Sequence, residues 1–231
     1  MTLEAPAKPF SVMLREATWA RHEGIASTED TPAEETPEKG ILGSLFDGEL
    51  HLDDFTAWTA QQYFVYDVIE SAAEHWHGHA VAGPFVLDDM TRRTALETDL
   101  ATLVGADWRE TISPLASTTR YLDRLREVCF DWPGGFVAHQ YTRYLGDMSG
   151  GQAFRQAAND LYGFADGPGV GFYVFDRIAD LTAFKSDYRA LLDNAPWDDE
   201  ERQRIIAEVL DAYDYNEGFL TELARGMRRS V

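Results

Sequence analysis

Residues 137–152 have the sequence VAHQYTRYLGDMSGGQ, and this is the most informative stretch of the chain. Its apolar and aromatic residues recur at steps of three and four, which indicates the buried face of a helix. Gly146, Gly150 and Gly151 lie inside it, although each glycine costs roughly 1 kcal/mol relative to alanine in a helix interior. Because Gly146 and Gly150 are four residues apart, they leave one helix face without side chains.

A helix face without side chains allows close contact with whatever packs against it. One interpretation is a second helix that crosses there, and the other is a flat cofactor that lies on the backbone. Asp147 lies beside the glycines and Arg143 lies one turn before it, which favours a cofactor lined by charged groups. Residue types and spacing alone leave both interpretations open.

The rest of the chain predicts an all-α fold in a single domain. It has 231 residues, of which 45% are apolar, enough for one sizeable core or at most two small domains. No repeat or linker is evident, so we predict one domain over residues 1–231 with its core at 10–225. Nearly every long segment has helical periodicity. The central helix is expected to follow a break at Pro133–Gly135 and to continue past the glycines to about Tyr162.

The overall charge and the termini limit the classes of partner. A formal net charge of −20 argues against binding nucleic acid or an anionic membrane by general electrostatics. The single cysteine, Cys129, excludes an internal disulfide and a metal cluster built from cysteines. No apolar run has the length of a membrane span, and the N-terminal sequence lacks the order of a signal peptide. We therefore expect a cytoplasmic, monomeric protein that binds neither nucleic acid nor a membrane.

Two other segments place charged side chains on one helix face. A first helix is expected over residues 11–23, with His22 at the end of an apolar stripe and Arg15 on nearly the same side. A lone histidine of this kind is usually a satisfied, half-buried side chain, but a cation nearby makes a ligand site more plausible. Lys185 and Arg189 are four residues apart and form either a solvated face or a clamp for a dianionic ligand.

The remaining segments carry weaker signals. Residues 27–40, STEDTPAEETPEKG, are acidic and proline-containing, which predicts an exposed loop. Tyr66 lies on the apolar face of a helix that ends near Trp76, where a buried tyrosine usually finds a local hydrogen-bond partner. In the last helix, Tyr213 and Asn216 share a face.

Taken together, these segments resemble the biliverdin-forming haem oxygenase family over residues 10–224. Residues 138–152, AHQYTRYLGDMSGGQ, are similar to that family's distal-helix signature nearly letter for letter. LREAT followed by a histidine, residues 14–22, resembles the proximal helix, and FKSDYR, residues 184–189, resembles the propionate-binding segment. The resemblance implies an all-α bundle that holds haem between a proximal and a distal helix.

The resemblance also implies a role for each matching residue. His22 takes the place of the proximal iron ligand. Gly146 and Gly150 match the glycines that let the backbone approach haem, and Asp147 matches the aspartate that holds the proton-delivering water. The other matches are Arg143 and Tyr66 in the polar network, Arg15, Lys185, Arg189 and Tyr141 at the propionates, and Tyr213 and Asn216 in the pocket lining.

The reaction implied by the resemblance uses haem b as both substrate and cofactor, consumes O2, and releases biliverdin, carbon monoxide and ferrous iron. No flavin or nucleotide fingerprint is present, so the electrons would come from a ferredoxin or a flavoprotein reductase. Cations that could form a local contact for this partner are Arg124, Arg126, Lys185 and Arg189.

Two positions depart from the family pattern. Ala26 stands where the family commonly has a glutamate that accepts a hydrogen bond from the proximal histidine, and such partners set ligand basicity. Glu23, Glu29 or water could substitute. Arg15 replaces a lysine, which keeps the charge but changes the binding geometry, so the bilin isomer stays open.

Two other functions fit parts of the sequence. A haem carrier or sensor of the same fold would bind haem without turnover, and Ala26 is the one hint of it. A di-iron oxidase or thiaminase-like enzyme of similar helical architecture would need several inward-facing carboxylates and Glu-x-x-His pairs. It would also leave the distal-helix match without an explanation.

Overall fold

The structure, a computed structural model, describes residues 8–26 and 40–227, and for residues 20–26 it describes the backbone only. No strand occurs within these ranges, so the predicted all-α fold is confirmed. Short 3₁₀ helices lie at Gly83–Phe85, Asp88–Met90 and Gly171–Tyr173. The α-helices are α1 Phe10–Ala26, α2 Ile41–Phe46, α3 Leu52–Trp76, α4 Arg93–Leu103, α5 Trp108–Thr111, α6 Ala116–Cys129, α7 Pro133–Asp147, α8 Gly151–Tyr162, α9 Leu181–Asn194 and α10 Asp199–Gly226.

The centre of the fold is formed by α7 together with α3, α6 and α10, all of which contact it. The side chains between them are large and fully buried, among them Tyr66, Phe136 and Phe219. Burial of aromatic side chains contributes roughly 25 cal/mol for each Å² of apolar surface removed from water. This packing fixes α7, so side chains on its faces have defined neighbours.

The first turn of α7 contradicts the expected break at Pro133–Gly135. The helix begins at Pro133, a position that suits proline because the first helical N–H needs no partner within the helix. A Cβ on Gly134 would lie 2.8 Å from Cγ1 of Ile205, and one on Gly135 would lie 2.8 Å from the carbonyl oxygen of Val128. These glycines are therefore required by close packing against α10 and α6, and they do not end a helix.

The last turn of α7 leads through residues 148–150 into α8. Hydrogen bonds continue across this turn, from the Met148 N–H to the Tyr144 carbonyl at 2.9 Å and from the Gly150 N–H to the Gly146 carbonyl at 2.8 Å. The helix that follows ends at Tyr162. The predicted helical end near Tyr162 is thus confirmed, but a turn at residues 148–150 divides the predicted single helix into two.

The first helix is longer than expected. It runs to Ala26 and passes through Gly24 without ending. Its start is fixed to α9, because the backbone N–H and the hydroxyl of Ser11 donate to the Asp193 carboxylate at 2.7 and 2.9 Å. The predicted loop at 27–40, apart from its last residue, lies outside the described residues. Among the helices that the structure describes, none combines the length and the apolar character needed to cross a bilayer.

Candidate functional site

The glycines at the end of α7 leave an open backbone surface. A Cβ built on Gly146 would have no neighbour within 4 Å, and one on Gly150 would meet only the Gly146 carbonyl oxygen, at 3.7 Å. Gly151 differs, since a Cβ there would lie 2.9 Å from the Tyr173 ring. Among the side chains that the structure describes, none packs on Gly146 or Gly150. A flat ligand could lie on this face, while Gly151 serves packing.

Asp147 lies beside the open face, at the last position of α7. Its Oδ2 accepts a hydrogen bond from the phenol of Tyr66 on α3, and Nη2 of Arg143 is 3.9 Å from the same oxygen. The side chain is 18% exposed. Burial raises the pKa of Asp147, and the Arg143 charge and the Tyr66 hydrogen bond offset part of this rise. A carboxyl with a raised pKa next to ordered donors is suited to hold or pass a proton.

The guanidinium of Arg143 connects three helices behind Asp147. Its Nη1 donates to Oδ1 of Asn216 on α10 at 2.6 Å, and its Nη2 donates to Oε1 of Gln62 on α3. It also lies 5.4 Å from the centre of the Tyr66 ring. Burial disfavours the charge of Arg143, but Asp147 and the surrounding phenols raise its pKa overall. The cation is therefore permanent, and it fixes the position of the polar network.

Gln62 is a member of this network that the sequence analysis missed. It precedes Tyr66 by four residues on α3 and so shares its face, which is a spacing that could have identified it. The amide Nε2 of Gln62 and the Nε of Arg143 are buried without a protein partner among the described residues. Two donors beside a carboxylate can hold a small polar ligand or water.

Predicted propionate-binding residues gather near the open face. Lys185 on α9 donates to the hydroxyl of Ser149 at 3.0 Å, in the turn between α7 and α8. Arg189 donates to the carbonyl of Lys185 at 3.4 Å. Burial raises the pKa of Tyr141 on α7, and the charges of Arg189 and Arg15 oppose that rise. The structure thus brings side chains from α1, α7 and α9 together around one phenol.

Tyr213 joins α10 to α1. It shares a hydrogen bond with Thr18 of α1, and burial is the main reason that its pKa is raised to about 12. Position 22 follows Thr18 by one turn on the same helix. The side chains of His22 and Ala26 lie outside the described residues, so the predicted iron ligand and the missing glutamate stay predictions.

The described part of the chain offers little support for a di-iron site. No group of three or more His, Cys, Asp or Glu side chains in it is arranged to hold a metal ion. In the HWHGH segment, Nδ1 of His79 accepts hydrogen bonds from the N–H groups of Val81 and Ala82, at 3.3 and 3.2 Å. That histidine therefore stabilises a turn.

Comparisons with known proteins point in one direction. The family model described as "Heme oxygenase" matches residues 8–222. The heme oxygenase of Porphyra purpurea is 35% identical over 185 residues, which cover 80% of this chain and 77% of that protein. The crystal structure of heme oxygenase-1 from the cyanobacterium Synechocystis in complex with heme has a TM-score of 0.84 and 30% identity, and the match covers 95% of this chain and 94% of that one. The heme oxygenase structure from Leptospira interrogans has a TM-score of 0.82 and 29% identity, with 93% and 100% covered.

Proposed function

Since the chain belongs to the haem oxygenase family, we propose that haem lies on the open face of Gly146 and Gly150 and is cleaved there to biliverdin, carbon monoxide and ferrous iron. The reaction consumes O2 and electrons from outside. Bound haem b supplies the iron that activates O2 and is itself the macrocycle that is opened. The observation that carries this proposal is the uncovered glycine backbone directly beside Asp147.

The residues around this face fit the shape and charge of haem. The porphyrin is flat and apolar, and the bare backbone at Gly146 and Gly150 lets such a plane come close. The propionates form an anionic edge, which Arg15, Lys185 and Arg189 would bind, with Tyr141 beside them. His22, one turn beyond Thr18 on α1, is the proposed iron ligand from the opposite side.

Asp147 is the proposed proton-handling group. Its raised pKa brings its protonated and ionised forms closer in free energy at neutral pH. Tyr66 and Arg143 hold its carboxylate in one orientation, and the free donors of Gln62 and Arg143 face the same network. Asp147 would therefore hold water and deliver protons through it, without ligating the iron.

The electron donor is proposed to be a ferredoxin or a flavoprotein reductase that contacts a monomer of this chain. Arg124 is bonded to Glu208 and Glu127, and Arg126 is bonded to Asp123. Lys185 and Arg189 instead contact a hydroxyl and a carbonyl. Of the four cations suggested by the sequence, these two bond to no carboxylate among the described residues, and a donor that contacts them would lie beside the propionates that they are proposed to bind.

The test is an optical one on the purified chain. It is reconstituted with haem, a ferredoxin with its reductase is added in air, and the spectrum is followed. The proposal expects loss of the Soret band and growth of a broad red bilin absorption. A Soret band that persists with several competent reductants would contradict it and favour the carrier or sensor alternative. Chromatography of the extracted product then identifies the bilin isomer.

A further inference from the structure

A second buried network lies one turn before Arg143 on α7. His139 is fully buried, its Nε2 is 2.9 Å from Oε1 of Glu208 on α10, and its Nδ1 is 3.1 Å from the phenol oxygen of Tyr121 on α6. Arg124 donates to both oxygens of Glu208, at 3.0 and 2.5 Å. The haem-cleavage roles assigned above use none of these four side chains.

The hydrogen-bond partners of Glu208, His139 and Tyr121 determine which of these side chains carry protons. Burial alone would raise the pKa of Glu208, but His139 and Arg124 lower it to about 2, so the carboxylate is ionised and only accepts. Burial lowers the pKa of His139, although the hydrogen bond and the charge of Glu208 oppose this, and the net direction favours a neutral ring that carries one proton. Because Glu208 must receive that proton as a hydrogen bond, it is on Nε2. Nδ1 is then a free base, and the hydroxyl of Tyr121 donates to it.

Tyr121 also lies between the polar network and the surface. Its ring stacks on Tyr215 with the centroids 5.1 Å apart and the planes 5° from parallel. Tyr215 is half-buried and lines a groove between α6 and α10 with Arg120 and Asp214. Burial raises the pKa of Tyr121, and the Arg143 charge opposes that rise. The two rings therefore connect His139, which lies one turn from Arg143 on α7, to the groove.

We propose that Tyr121 is a redox-active tyrosine which, with Tyr215, carries oxidising equivalents from the haem pocket to the groove between α6 and α10. The inference rests on the proposed function, because the haem pocket is the source of the oxidant. That oxidant would be bound haem left one oxidising equivalent above its ferric state when oxygen activation does not end in cleavage of the macrocycle, and accepting one electron would return it to ferric haem. Such a route would protect the interior from uncontrolled oxidation.

The first step is a coupled transfer of one electron and one proton. The electron passes from Tyr121 to the oxidant, and the phenol proton moves to Nδ1 of His139. The products are a neutral tyrosyl radical and an imidazolium that is ion-paired with Glu208. Loss of the electron without the proton would leave a buried cation radical, and prior loss of the proton would leave a buried phenolate; both charges are costly in the interior. The base at Nδ1 avoids both.

The second step returns the interior to its starting state. An electron passes from Tyr215 to Tyr121 through the stacked rings, and the proton returns from His139 to the Tyr121 oxygen. Tyr215 releases its own phenol proton to water in the groove. A soluble one-electron reductant such as ascorbate then supplies one electron, and water supplies one proton, so that Tyr215 is restored.

Other buried tyrosines lack this combination. The hydroxyl of Tyr188 donates to the amide oxygen of Gln140 at 2.9 Å, and an amide is too weak a base to accept its proton. Tyr144 donates to Glu70 at 3.1 Å. Its ring packs edge-on against Tyr66, which is itself buried and does not lead to the surface. Neither tyrosine has both a neutral base and a stacked partner at the surface. Tyr188 is therefore a matched control for Tyr121.

The experiment loads the full chain with zinc protoporphyrin, whose binding is first followed by its Soret shift. A light flash with hexaammineruthenium(III) as electron acceptor then makes the porphyrin a one-electron oxidant, without iron or O2. Trapped radicals are detected by electron paramagnetic resonance in protein with ring-deuterated tyrosine, which separates tyrosyl from tryptophanyl signals. We expect a tyrosyl signal that Tyr121→Phe loses and Tyr188→Phe retains.

Two further variants test the relay itself. His139→Gln keeps an acceptor for the Tyr121 hydroxyl but cannot take its proton, so the tyrosyl yield should fall while the circular dichroism spectrum is unchanged. Tyr215→Phe should lengthen the lifetime of the Tyr121 radical and slow its reduction by ascorbate. Each readout is spectroscopic and independent of haem turnover.

The outcomes separate this inference from the proposed function. Absence of porphyrin binding would contradict the haem pocket itself. Binding with a tyrosyl signal that survives in Tyr121→Phe would overturn the redox role and leave the haem pocket intact. An unchanged radical yield in His139→Gln would equally overturn it, since proton acceptance by His139 is the basis of the first step.

Discussion

The two ends of α7 contain the same residue types in opposite environments. At its start, Gly134 and Gly135 have no room for a Cβ, because Ile205 and Val128 lie within 3 Å of one. At its end, Gly146 has no neighbour within 4 Å of a built Cβ. A glycine pair can therefore mark either tight packing or an uncovered surface, and only the neighbours distinguish the two.

Two carboxylates, the buried Glu208 beside α7 and the partly buried Asp147 at its end, also have opposite environments. Glu208 is held by a bidentate arginine and a histidine, and its pKa is lowered to about 2. Asp147 has a phenol and an arginine nitrogen at 3.9 Å, and burial raises its pKa. A fully paired carboxylate keeps its charge and stabilises the fold, whereas an incompletely paired one can exchange a proton with a ligand.

The largest expected effect is on bilin formation, and it concerns Asp147 at the end of α7. Asp147→Asn keeps the size and polarity of the side chain but cannot accept a proton, so bilin formation should fall by about 10²- to 10⁴-fold. Haem binding, followed by the Soret band, should be retained. Asp160→Asn on the exposed side of α8 is the control and should leave bilin formation unchanged. Equal rates in the two variants would remove Asp147 from the reaction.

The next effect concerns the stability of the fold at acid pH and depends on Glu208. The ordinary pKa of Glu208 is 4.5 and its folded value is about 2, so its stabilising contribution is complete above pH 4.5 and is lost as the pH falls towards 2. A shift of this size corresponds to roughly 3 kcal/mol. Urea titrations across this window should show the stability advantage of the parent chain over Glu208→Gln shrinking by that amount. A constant difference would contradict the pairing.

A smaller loss of stability is expected from Gly135→Ala. The new methyl group would press on the carbonyl oxygen of Val128 and the ring of Trp132, and overpacking of this kind costs about 1–3 kcal/mol. In a chain of this length each kcal/mol lowers Tm by about 2–4 °C. Differential scanning calorimetry measures the change. An unaltered Tm would mean that the start of α7 has room for the methyl group, which would contradict the close packing of Gly135.

The smallest effect is expected from Gly146→Ala, the counterpart at the open end. Its methyl group meets no protein atom, and alanine favours the helix, so the haem-free chain should gain about 0.5–1 kcal/mol. Haem affinity should fall, because the methyl group occupies the face on which the porphyrin lies. A loss of Tm as large as that of Gly135→Ala would erase the difference between the two ends.

Sequence patterns predicted the helices around α7 where residues close together in the chain determine the structure. Helical periodicity identified the all-α fold and the helical end near Tyr162. It failed at Pro133–Gly135, since the need for glycine there comes from packing against Val128 of α6 and Ile205 of α10, which helical periodicity does not indicate. It also predicted too early an end for α1. Gly24 was interpreted as a helix stop, but α1 continues through Gly24 to Ala26.

The site was predictable where a motif or a helical spacing carried the information. The signature over residues 138–152 pointed to the open glycines and to Asp147, whereas the spacing of Lys185 and Arg189 allowed either a solvated face or a clamp for an anionic ligand. Glu208 was not predicted, because it meets His139 only through the packing of α10 on α7, and no local spacing encodes such a contact.

The most direct measurement is a crystal structure of the chain with ferric haem. We expect a porphyrin plane in van der Waals contact with the backbone at Gly146 and Gly150, Asp147 within one water of its distal side, and His22 bound to the iron. A side chain between the porphyrin and Gly146, or an axial ligand other than His22, would contradict it.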